Sequence, residues 1–365
     1  MLAVALFSVV LICGCGGGAS TGGSTQPTQA AAPTIATSNA QNGAVIVTLA
    51  TTIPGASVYY TVDGTTPTTA SQVYEAPFLV ASSLTVKAIA AGTGTTASAV
   101  TSQSFTPNIP SGTLVWSDEF SNSTSANAQP NPITWTYDTG PGSICCGNNE
   151  QENYCAWASA TSPCNPASPN IYADTAGILH IVARQPSTGV YTSARIRTQG
   201  LFSFQYGRLE ARVKLPESQG MWPAFWLLGN NITTISWPAS GEIDVMEHID
   251  GSNPENEGFD WVQGTVHGTN LSSGIQYHPT GFSATDWHTY GMIWSKGEIQ
   301  FYVDSPSNVY ATFTPTTQAG TWPFDVGPQF ILLNLAIGGD WPGPPNAQTQ
   351  FPAEMQVDYV RLYTN

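Results

Sequence analysis

The sequence predicts an all-β protein built from two β-sandwiches, a small one followed by a large one. Short apolar runs of strand length recur along the chain, and Gly, Pro, Asn and Asp separate them. No apolar pattern with helical spacing extends over four turns. All eleven tryptophans lie between Trp116 and Trp341, so the composition changes where the second sandwich begins.

The N-terminal residues predict export. Residues 1–15, MLAVALFSVVLICGC, contain an apolar run that is too short to span a bilayer, which is typical of a signal peptide. The sequence ICGC resembles a bacterial lipobox with Cys15 as the lipidated residue, and an ordinary cleaved signal peptide is the alternative. We expect a secreted protein or an outer-surface lipoprotein of a bacterium, with membrane contact only through a lipid anchor on Cys15. The uncharged residues 16–32 predict a flexible linker.

Residues 33–107 predict a small β-sandwich of the immunoglobulin or fibronectin type. The runs AVIVTLA, SVYYTVD and LTVKAIA alternate as strands do, and Asn42-Gly43 and Asp63-Gly64 mark turns. The segment resembles the small β-sandwich module of chitobiase-type and other secreted carbohydrate-active proteins, where it is usually a spacer or an accessory module. A short second linker, residues 107–112, is expected before the large sandwich at 108–365.

The charge balance disfavours partners that carry phosphate. The chain has 24 acidic and 9 basic residues, which gives a net charge of −15. An acidic surface repels nucleic acid, and no polybasic stretch is present for an anionic membrane. We expect a monomer.

The stretch GEIDVMEHID, residues 241–250, concentrates acidic side chains in an apolar strand pattern. In a β-strand, residues i and i+2 share a face, so Glu242 and Asp244 point the same way and Glu247 has the opposite parity. A β-bulge at Val245-Met246 would return Glu247 to the face of the other two carboxylates. The spacing therefore predicts a bulged strand with three carboxylates on one face.

Three crowded carboxylates favour acid–base chemistry. Like charges raise the pKa of at least one carboxyl group, so one can stay protonated near neutral pH. A protonated acid beside an ionised carboxylate is what cleavage of a glycosidic bond requires. The alternative is a solvated acidic edge strand, which the flanking Ile243, Val245 and Met246 disfavour.

The strand and its surroundings resemble glycoside hydrolase family 16. SGEIDVMEHID is similar to the family's signature strand, and the segments LVWSDEF, GNNEQENY, YTSARIRTQGLFSFQYGRLEARVKLP, GMWPAFWLLG, TVHG, WPFDVGPQFILLNLAIGGDWPG and MQVDYVRLY occur in the expected order. The form with an inserted Met is most similar to the laminarinase branch. The resemblance implies a large β-jelly roll with an open, concave substrate cleft.

The family resemblance also implies catalytic roles. Glu242 is the expected nucleophile, Glu247 is the expected general acid and later base, and Asp244 between them tunes their protonation. The reaction would retain the anomeric configuration, which requires the two reacting carboxyl groups to lie roughly 5–5.5 Å apart. No cofactor is expected for catalysis.

Aromatic residues are expected to line the cleft, because tryptophan rings stack on the apolar faces of sugars. By resemblance these are Trp222, Trp226 and Trp237, with Trp341 near the rim. Trp222 and Trp226 are four residues apart and share a strand face unless a bulge intervenes. For Trp226, core packing is the alternative.

Polar contacts to the glucan are expected from five residues: Asn149, Glu150, Arg195, His267 and Asn334. His267 matches a family histidine on the strand after the catalytic one, where it would hydrogen-bond near the acid/base residue. A purely structural histidine is the alternative.

A structural calcium ion is implied by resemblance on the convex face. The matching positions are Glu119, Gly177 and Asp358, and calcium favours carboxylate and backbone oxygens. The absence of any metal is the alternative.

The four cysteines after the signal peptide are expected to form disulfides, because an exported chain meets an oxidising environment. They are Cys145, Cys146, Cys155 and Cys164. Adjacent cysteines rarely pair. This leaves 145–155 with 146–164, or 145–164 with 146–155, and a zinc site is the alternative use.

Three functions remain open. The first is a secreted endo-β-1,3-glucanase that acts on laminarin-like glucans. The second keeps the fold and mechanism but acts on mixed-linkage β-1,3-1,4-glucan or an agar-type galactan. The third is a non-catalytic glucan-binding protein, which the presence of all three acids disfavours.

Overall fold

The computed structural model describes residues 27–121, 124–145, 147–250 and 258–365. The predicted signal peptide with its lipobox, residues 16–26 of the predicted linker, and Cys146 lie outside the described residues. Those predictions therefore stay predictions.

The described N-terminal module contains nine strands. They are β1 (Thr28–Gln29), β2 (Thr34–Asn39), β3 (Val45–Ala50), β4 (Ser57–Thr61), β5 (Gln72–Val73), β6 (Phe78–Val80), β7 (Leu84–Ala91), β8 (Thr95–Thr96) and β9 (Thr101–Phe105). β2, β3 and β6 lie in one sheet and β5, β4, β7 and β9 in the other. Val47, Tyr60, Phe78 and Val86 pack between the two sheets. The predicted small β-sandwich is confirmed.

Nineteen further strands make up the rest of the described chain. They are β10 (Leu114–Asp118), β11 (Thr136–Asp138), β12 (Gly140–Pro141), β13 (Glu152–Tyr154), β14 (Ile171–Ala173), β15 (Leu179–Ser187), β16 (Val190–Ser193), β17 (Arg195–Arg197), β18 (Ser203–Phe204), β19 (Gly207–Lys214), β20 (Met221–Gly229), β21 (Glu242–Glu247), β22 (Val262–Gly268), β23 (Leu271–Tyr277), β24 (His288–Ser295), β25 (Glu298–Val303), β26 (Val309–Phe313), β27 (Gln329–Ile337) and β28 (Ala353–Tyr363). Among the described residues, helix is limited to α1 (Gly142–Cys145), α2 (Ile232–Ile235) and a 3₁₀ turn at Gln41–Gly43. No helix in the described ranges is long and apolar enough to cross a membrane.

These strands form a two-layer sandwich, as predicted. The outer sheet runs β12-β13-β16-β15-β28-β19-β24-β25-β26, and the inner sheet includes β18-β27-β20-β21-β22-β23. Side chains of both sheets fill the space between them, and Phe204, Phe225, Trp294 and Phe301 are completely buried there. Strand β27 is buried along its whole length, because one face meets this core and the other forms the floor of a cleft.

The small module and the large sandwich share a sheet, which the sequence did not predict. β6 pairs with β18 in parallel, so that β2, β3 and β6 continue the inner sheet beyond β18. The described end of the expected flexible linker is also fixed, because Thr28–Gln29 pairs with Thr95–Thr96. The expected second linker is packed in place, since the Thr364 hydroxyl donates to the carbonyl of Pro110. The two sandwiches are therefore directly joined.

The disulfide predictions were wrong in their pairing. Cys155 bonds to Cys164, nine positions further along the sequence, and their Cα atoms are 5.8 Å apart. Two tight turns fold this segment back on itself, since the amide of Ser159 donates to the Ala156 carbonyl and that of Cys164 to the Thr161 carbonyl. Both predicted pairings assumed that each of the adjacent cysteines must bond to a distant one. The bond also removes these two sulfur atoms from the alternative zinc site.

Candidate active site

Strand β21 carries the predicted bulge. On the neighbouring β20, Trp226 lies opposite Asp244 and Ala224 lies opposite Glu247, so β21 has one residue more than its partner between these pairs. Val245 and Met246 are both buried in the core. Because two successive residues turn inward, Glu247 returns to the face of Asp244. The pairing with β22 shifts at the same place.

The three carboxylates open into one cleft of about 490 Å³. Ten of the residues predicted for catalysis or substrate binding line it: Glu150, Arg195, Trp222, Trp226, Trp237, Glu242, Asp244, Glu247, His267 and Asn334. Ala224, Leu228, Ile232, Ala336, Gly147 and Asn148 complete the lining. The cleft therefore combines a carboxylate centre with aromatic and apolar walls.

Glu247 is held by two hydrogen bonds at one end of this centre. Trp222 Nε1 donates to Glu247 Oε1 at 3.0 Å, and the Thr265 hydroxyl donates to Oε2 at 3.3 Å. Burial raises the pKa of the Glu247 carboxyl, and these two donors oppose the rise because they favour the ionised form. The side chain can therefore hold a proton while its position stays fixed.

Glu242 and Asp244 form the other part of the centre with His267. The Nε2 atom of His267 lies 3.2 Å from Asp244 Oδ2 and 3.8 Å from Glu242 Oε1. Burial, and then the neighbouring carboxylates, raise the pKa values of Glu242 and Asp244 well above their ordinary range. The sequence placed His267 beside the acid/base residue, but its carboxylate contacts are with Asp244 and Glu242. The reason is register, because His267 lies directly opposite Glu242.

Glu242, Asp244 and His267 are also the one group of three potential metal ligands among the described residues. Their ligand atoms lie within 4.8 Å of one another. Two carboxylates and an imidazole can neutralise their charge with protons or with a cation. A cation bound here would occupy the same carboxylate oxygens that would otherwise hold a proton.

The carboxylates predicted to bind calcium on the convex face are already paired with arginine side chains. Both oxygens of Glu119 accept hydrogen bonds from Arg361, at 2.9 and 2.8 Å, and Asp358 accepts from Arg212 at 2.7 Å. Gly177 lies beside the backbone carbonyl of Glu119, since a Cβ on it would be 3.2 Å from that oxygen. Two arginines therefore already satisfy the carboxylates assigned to calcium, and calcium binding itself stays a prediction.

The aromatic walls differ in exposure. Trp222 and Trp226 share the cleft face of β20, and Trp226 Nε1 donates to Asn334 Oδ1 at 2.7 Å. The guanidinium of Arg195 lies 4.5 Å from the centre of the Trp226 ring. Trp226 is thus half-buried in the cleft wall rather than packed in the core. Trp237 is 55% exposed, which leaves its ring free to contact a ligand.

Asn149 and Trp341 lie outside the cleft lining. Asn149 donates to Asp340 at 2.8 Å and ties two loops together, while Asn148 and Gly147 of the same loop reach the cleft. The Trp341 ring packs edge-on against Trp222 at 5.5 Å. Asn148 and Asn149 could not be told apart in sequence, because they are the same residue type and both have a positive φ in this loop. Trp341 thus contacts the cleft wall through Trp222.

Glu150 at the cleft has a buried carboxyl neighbour, Glu152, which the sequence analysis missed. Glu150 accepts a hydrogen bond from Tyr154 at 2.9 Å, and Asn334 donates to the same Tyr154 hydroxyl at 3.2 Å. Glu152 is 1% exposed and accepts from the Ile337 amide at 2.7 Å. The alternation of ENY in β13 could have placed Glu152 and Tyr154 on one face. Nothing in the sequence showed that this face is covered.

Replacing Glu152 with glutamine is expected to stabilise the protein at alkaline pH. Burial, with the Glu150 charge adding to it, raises the pKa of Glu152 to about 8. The folded protein therefore keeps a proton on Glu152 at pH values where the unfolded chain has lost it. The contribution of this proton to the free energy of unfolding is complete below the ordinary carboxyl pKa and is lost as pH rises through about 8. Glutamine resembles the protonated form, so we expect its advantage in unfolding free energy to grow by roughly 3 kcal/mol between pH 5 and pH 8.

Urea unfolding of both proteins at these two pH values measures this difference. Glu217→Gln on the exposed surface is the control for the type of substitution. An advantage that is the same at both pH values would contradict a protonated Glu152.

Comparison with known proteins agrees with this geometry. Residues 156–361 match the glycosyl hydrolases family 16, and residues 36–102 match the chitobiase/beta-hexosaminidase C-terminal domain. The chain is 38% identical over 269 residues to a beta-glucanase of Rhodothermus marinus, covering 68% of this chain and 84% of that protein. It is 35% identical to glucan endo-1,3-beta-glucosidase A1 of Niallia circulans, covering 70% of this chain but only 38% of the relative.

A solved structure has the same fold. The laminarinase catalytic domain from Thermotoga maritima MSB8 superposes with a TM-score of 0.59 at 36% identity. The match covers 70% of this chain and 99% of the other. The part of the chain that carries the cleft is thus the part that is similar to known glucanases.

Proposed function

This chain belongs to glycosyl hydrolases family 16, and from that premise we propose that it is an exported endo-β-1,3-glucanase that cleaves laminarin-like β-glucans with retention of configuration. The chain is a glycoside hydrolase, and its glucanase relatives imply a β-glucan substrate. The observation that carries the proposal is the convergence of Glu242, Asp244 and Glu247 on one cleft by means of the β21 bulge. Export rests on residues 1–15.

In the first step, a Glu242 carboxylate oxygen attacks the anomeric carbon. The bond from that carbon to the glycosidic oxygen breaks, and Glu247 gives its proton to the departing oxygen. In the second step, the Glu247 carboxylate takes a proton from water as the water oxygen attacks the same carbon, and the bond to Glu242 breaks. Two inversions give net retention. Trp222 and Thr265 keep Glu247 in position through both transfers.

Attack requires an ionised Glu242 together with a protonated Glu247. Burial opposes this ionisation, because it raises the pKa of Glu242 well above its ordinary range. The His267 imidazole, whose Nε2 lies 3.8 Å from Glu242 Oε1, opposes the rise. Asp244 lies between the two glutamates in sequence and contacts His267 at 3.2 Å. We assign His267 and Asp244 to the control of protonation.

An uncharged glucan fits the walls of the cleft best. Trp222, Trp226 and Trp237 offer aromatic rings to sugar faces, and the one arginine or lysine among the lining residues is Arg195. Its Nε lies 2.9 Å from Asp138 Oδ2, so its charge is already compensated. A sulfated galactan would favour more free cations, whereas mixed-linkage β-1,3-1,4-glucan fits the same walls and is the second candidate.

Hydrolysis of defined polymers tests the proposal. Reducing-sugar release is measured on laminarin, mixed-linkage β-glucan and agarose, with product sizes determined for each. We expect rapid release of mixed oligomers from laminarin. Glu242→Gln protein prepared in parallel is the control for contaminating enzymes. Activity on mixed-linkage glucan or agarose alone would overturn the specificity, and binding without hydrolysis of any polymer would favour a glucan-binding protein.

A further inference from the structure

We infer that the small N-terminal module is fixed to the large sandwich and positions the cleft segment Ile232–Trp237 for long glucan chains. This inference rests on the proposed function for the identity of the ligand. Its structural basis is independent of that function. It gives the module a task in substrate binding rather than the role of a spacer.

The first observation is the continuous sheet. Ser203 and Phe204 of β18 pair with Phe78 and Leu79 of β6. The amide and the hydroxyl of Ser203 both donate to the carbonyl of Pro77, at 3.1 and 3.0 Å. Backbone pairing of this kind fixes both position and register. The module therefore has one orientation relative to the inner sheet.

The second observation is a shared hydrophobic core. Ala44 and Leu79 of the module are 1% and 6% exposed and belong to the core of the large sandwich. Asn42 Nδ2 donates to the Leu114 carbonyl at 2.7 Å on the same side. Detaching the module would expose these apolar side chains and break the hydrogen bonds, so the docked arrangement is favoured.

The third observation links the module to the cleft wall. The Thr233 hydroxyl donates to the Glu75 carboxylate, which joins helix α2 to the module. Gln72 lies tightly against Gly327, since a Cβ on that glycine would be 2.0 Å from Gln72 Oε1. Ile232, next to Thr233, lines the cleft. The module thus touches the segment that leads through Trp237 to Glu242.

The consequence concerns the free energy of binding a long chain. Trp237 is largely exposed and follows α2, where Thr233 contacts the module. A segment that is held in place loses less conformational entropy when a sugar binds to it. Glu75 and Thr233 are therefore positioning residues for binding at this end of the cleft, while bond cleavage at Glu242 and Glu247 does not depend on them.

Steady-state kinetics of the full chain test the positioning. We expect Glu75→Ala and Thr233→Val each to raise KM for laminarin about two- to tenfold, as the loss of one hydrogen bond predicts. The kcat should stay within about twofold, and Glu75→Gln, which keeps an acceptor oxygen, should restore KM. The double variant should raise KM no more than either single variant does, because both substitutions remove the same hydrogen bond. Ser104→Ala, which removes a bond to Thr85 inside the module, is the matched control.

Unchanged KM in both single variants, or an equal change in Ser104→Ala, would overturn the positioning role. Binding of glucan oligosaccharides in the Glu242→Gln background, followed by tryptophan fluorescence, separates this result from a failure of the proposed function. If the wild type hydrolyses no glucan but Glu75→Ala still weakens binding, the inference stands and the proposed function fails.

Calorimetry tests the fixed docking itself. A module that shares a sheet and a core with the large sandwich should unfold with it, so the full chain should show one cooperative transition. Two separate transitions, one of them unaffected by a bound oligosaccharide, would overturn the inference.

Discussion

Replacing Glu242 with glutamine is expected to lower kcat on β-glucan by roughly a thousandfold or more while leaving glucan binding intact. An amide oxygen is a poor nucleophile, so the glycosyl–enzyme bond of the first step cannot form at a useful rate. The substitution keeps the shape of the side chain, and Ile243, buried in the core, keeps the strand in place. Reducing-sugar release measures the first effect, and quenching of tryptophan fluorescence by oligosaccharide measures the second.

Glu298→Gln provides the matched control, because Glu298 lies in β25 of the outer sheet and the substitution is the same. It should retain wild-type kinetics. A Glu242→Gln enzyme that turns over at the wild-type rate would refute the nucleophile assignment. Simultaneous loss of glucan binding and activity would instead indicate that Glu242 maintains the cleft structure.

Strand β21 is the element that sequence reasoning predicted best. Parity alone separated Glu247 from Glu242 and Asp244, and the apolar pair Val245-Met246 was the place where an extra residue could turn inward. Such a prediction succeeds because the side-chain period of a strand is strict and a charged residue is rarely left in a core.

Features that depend on the path of the chain in space rather than on the side-chain period were not predictable in this way. The pairing of β6 with β18 joins residues far apart in the chain through backbone groups, which carry no residue-specific pattern. The burial of Glu152 arises because Ile337 and Gly142 come from two other segments. The Cys155–Cys164 bond depends on two local turns within a loop. In each case the deciding property is spatial rather than periodic.

Removal of the Glu247 carboxyl by alanine substitution should have an effect of similar size but of a different kind. On β-glucan, where the departing sugar oxygen needs a proton, we expect kcat to fall by about a thousandfold. On an aryl β-glucoside oligomer whose phenol leaves without protonation, the first step should be largely spared. The glycosyl–enzyme should then accumulate, because no base activates water for the second step, and a burst of phenol should precede slow turnover.

Added azide distinguishes Glu247 as the acid/base residue from a residue that merely shapes the cleft. Azide needs no general base, so it should attack the accumulated intermediate, accelerate turnover of the aryl substrate and yield a glycosyl azide of retained β configuration. The same treatment should not rescue Glu242→Gln, which forms no intermediate. Inverted azide product from a Glu247→Ala enzyme would exclude double displacement, and rescue of neither variant would mean that the bulged strand does not divide the nucleophile and acid roles between its two glutamates.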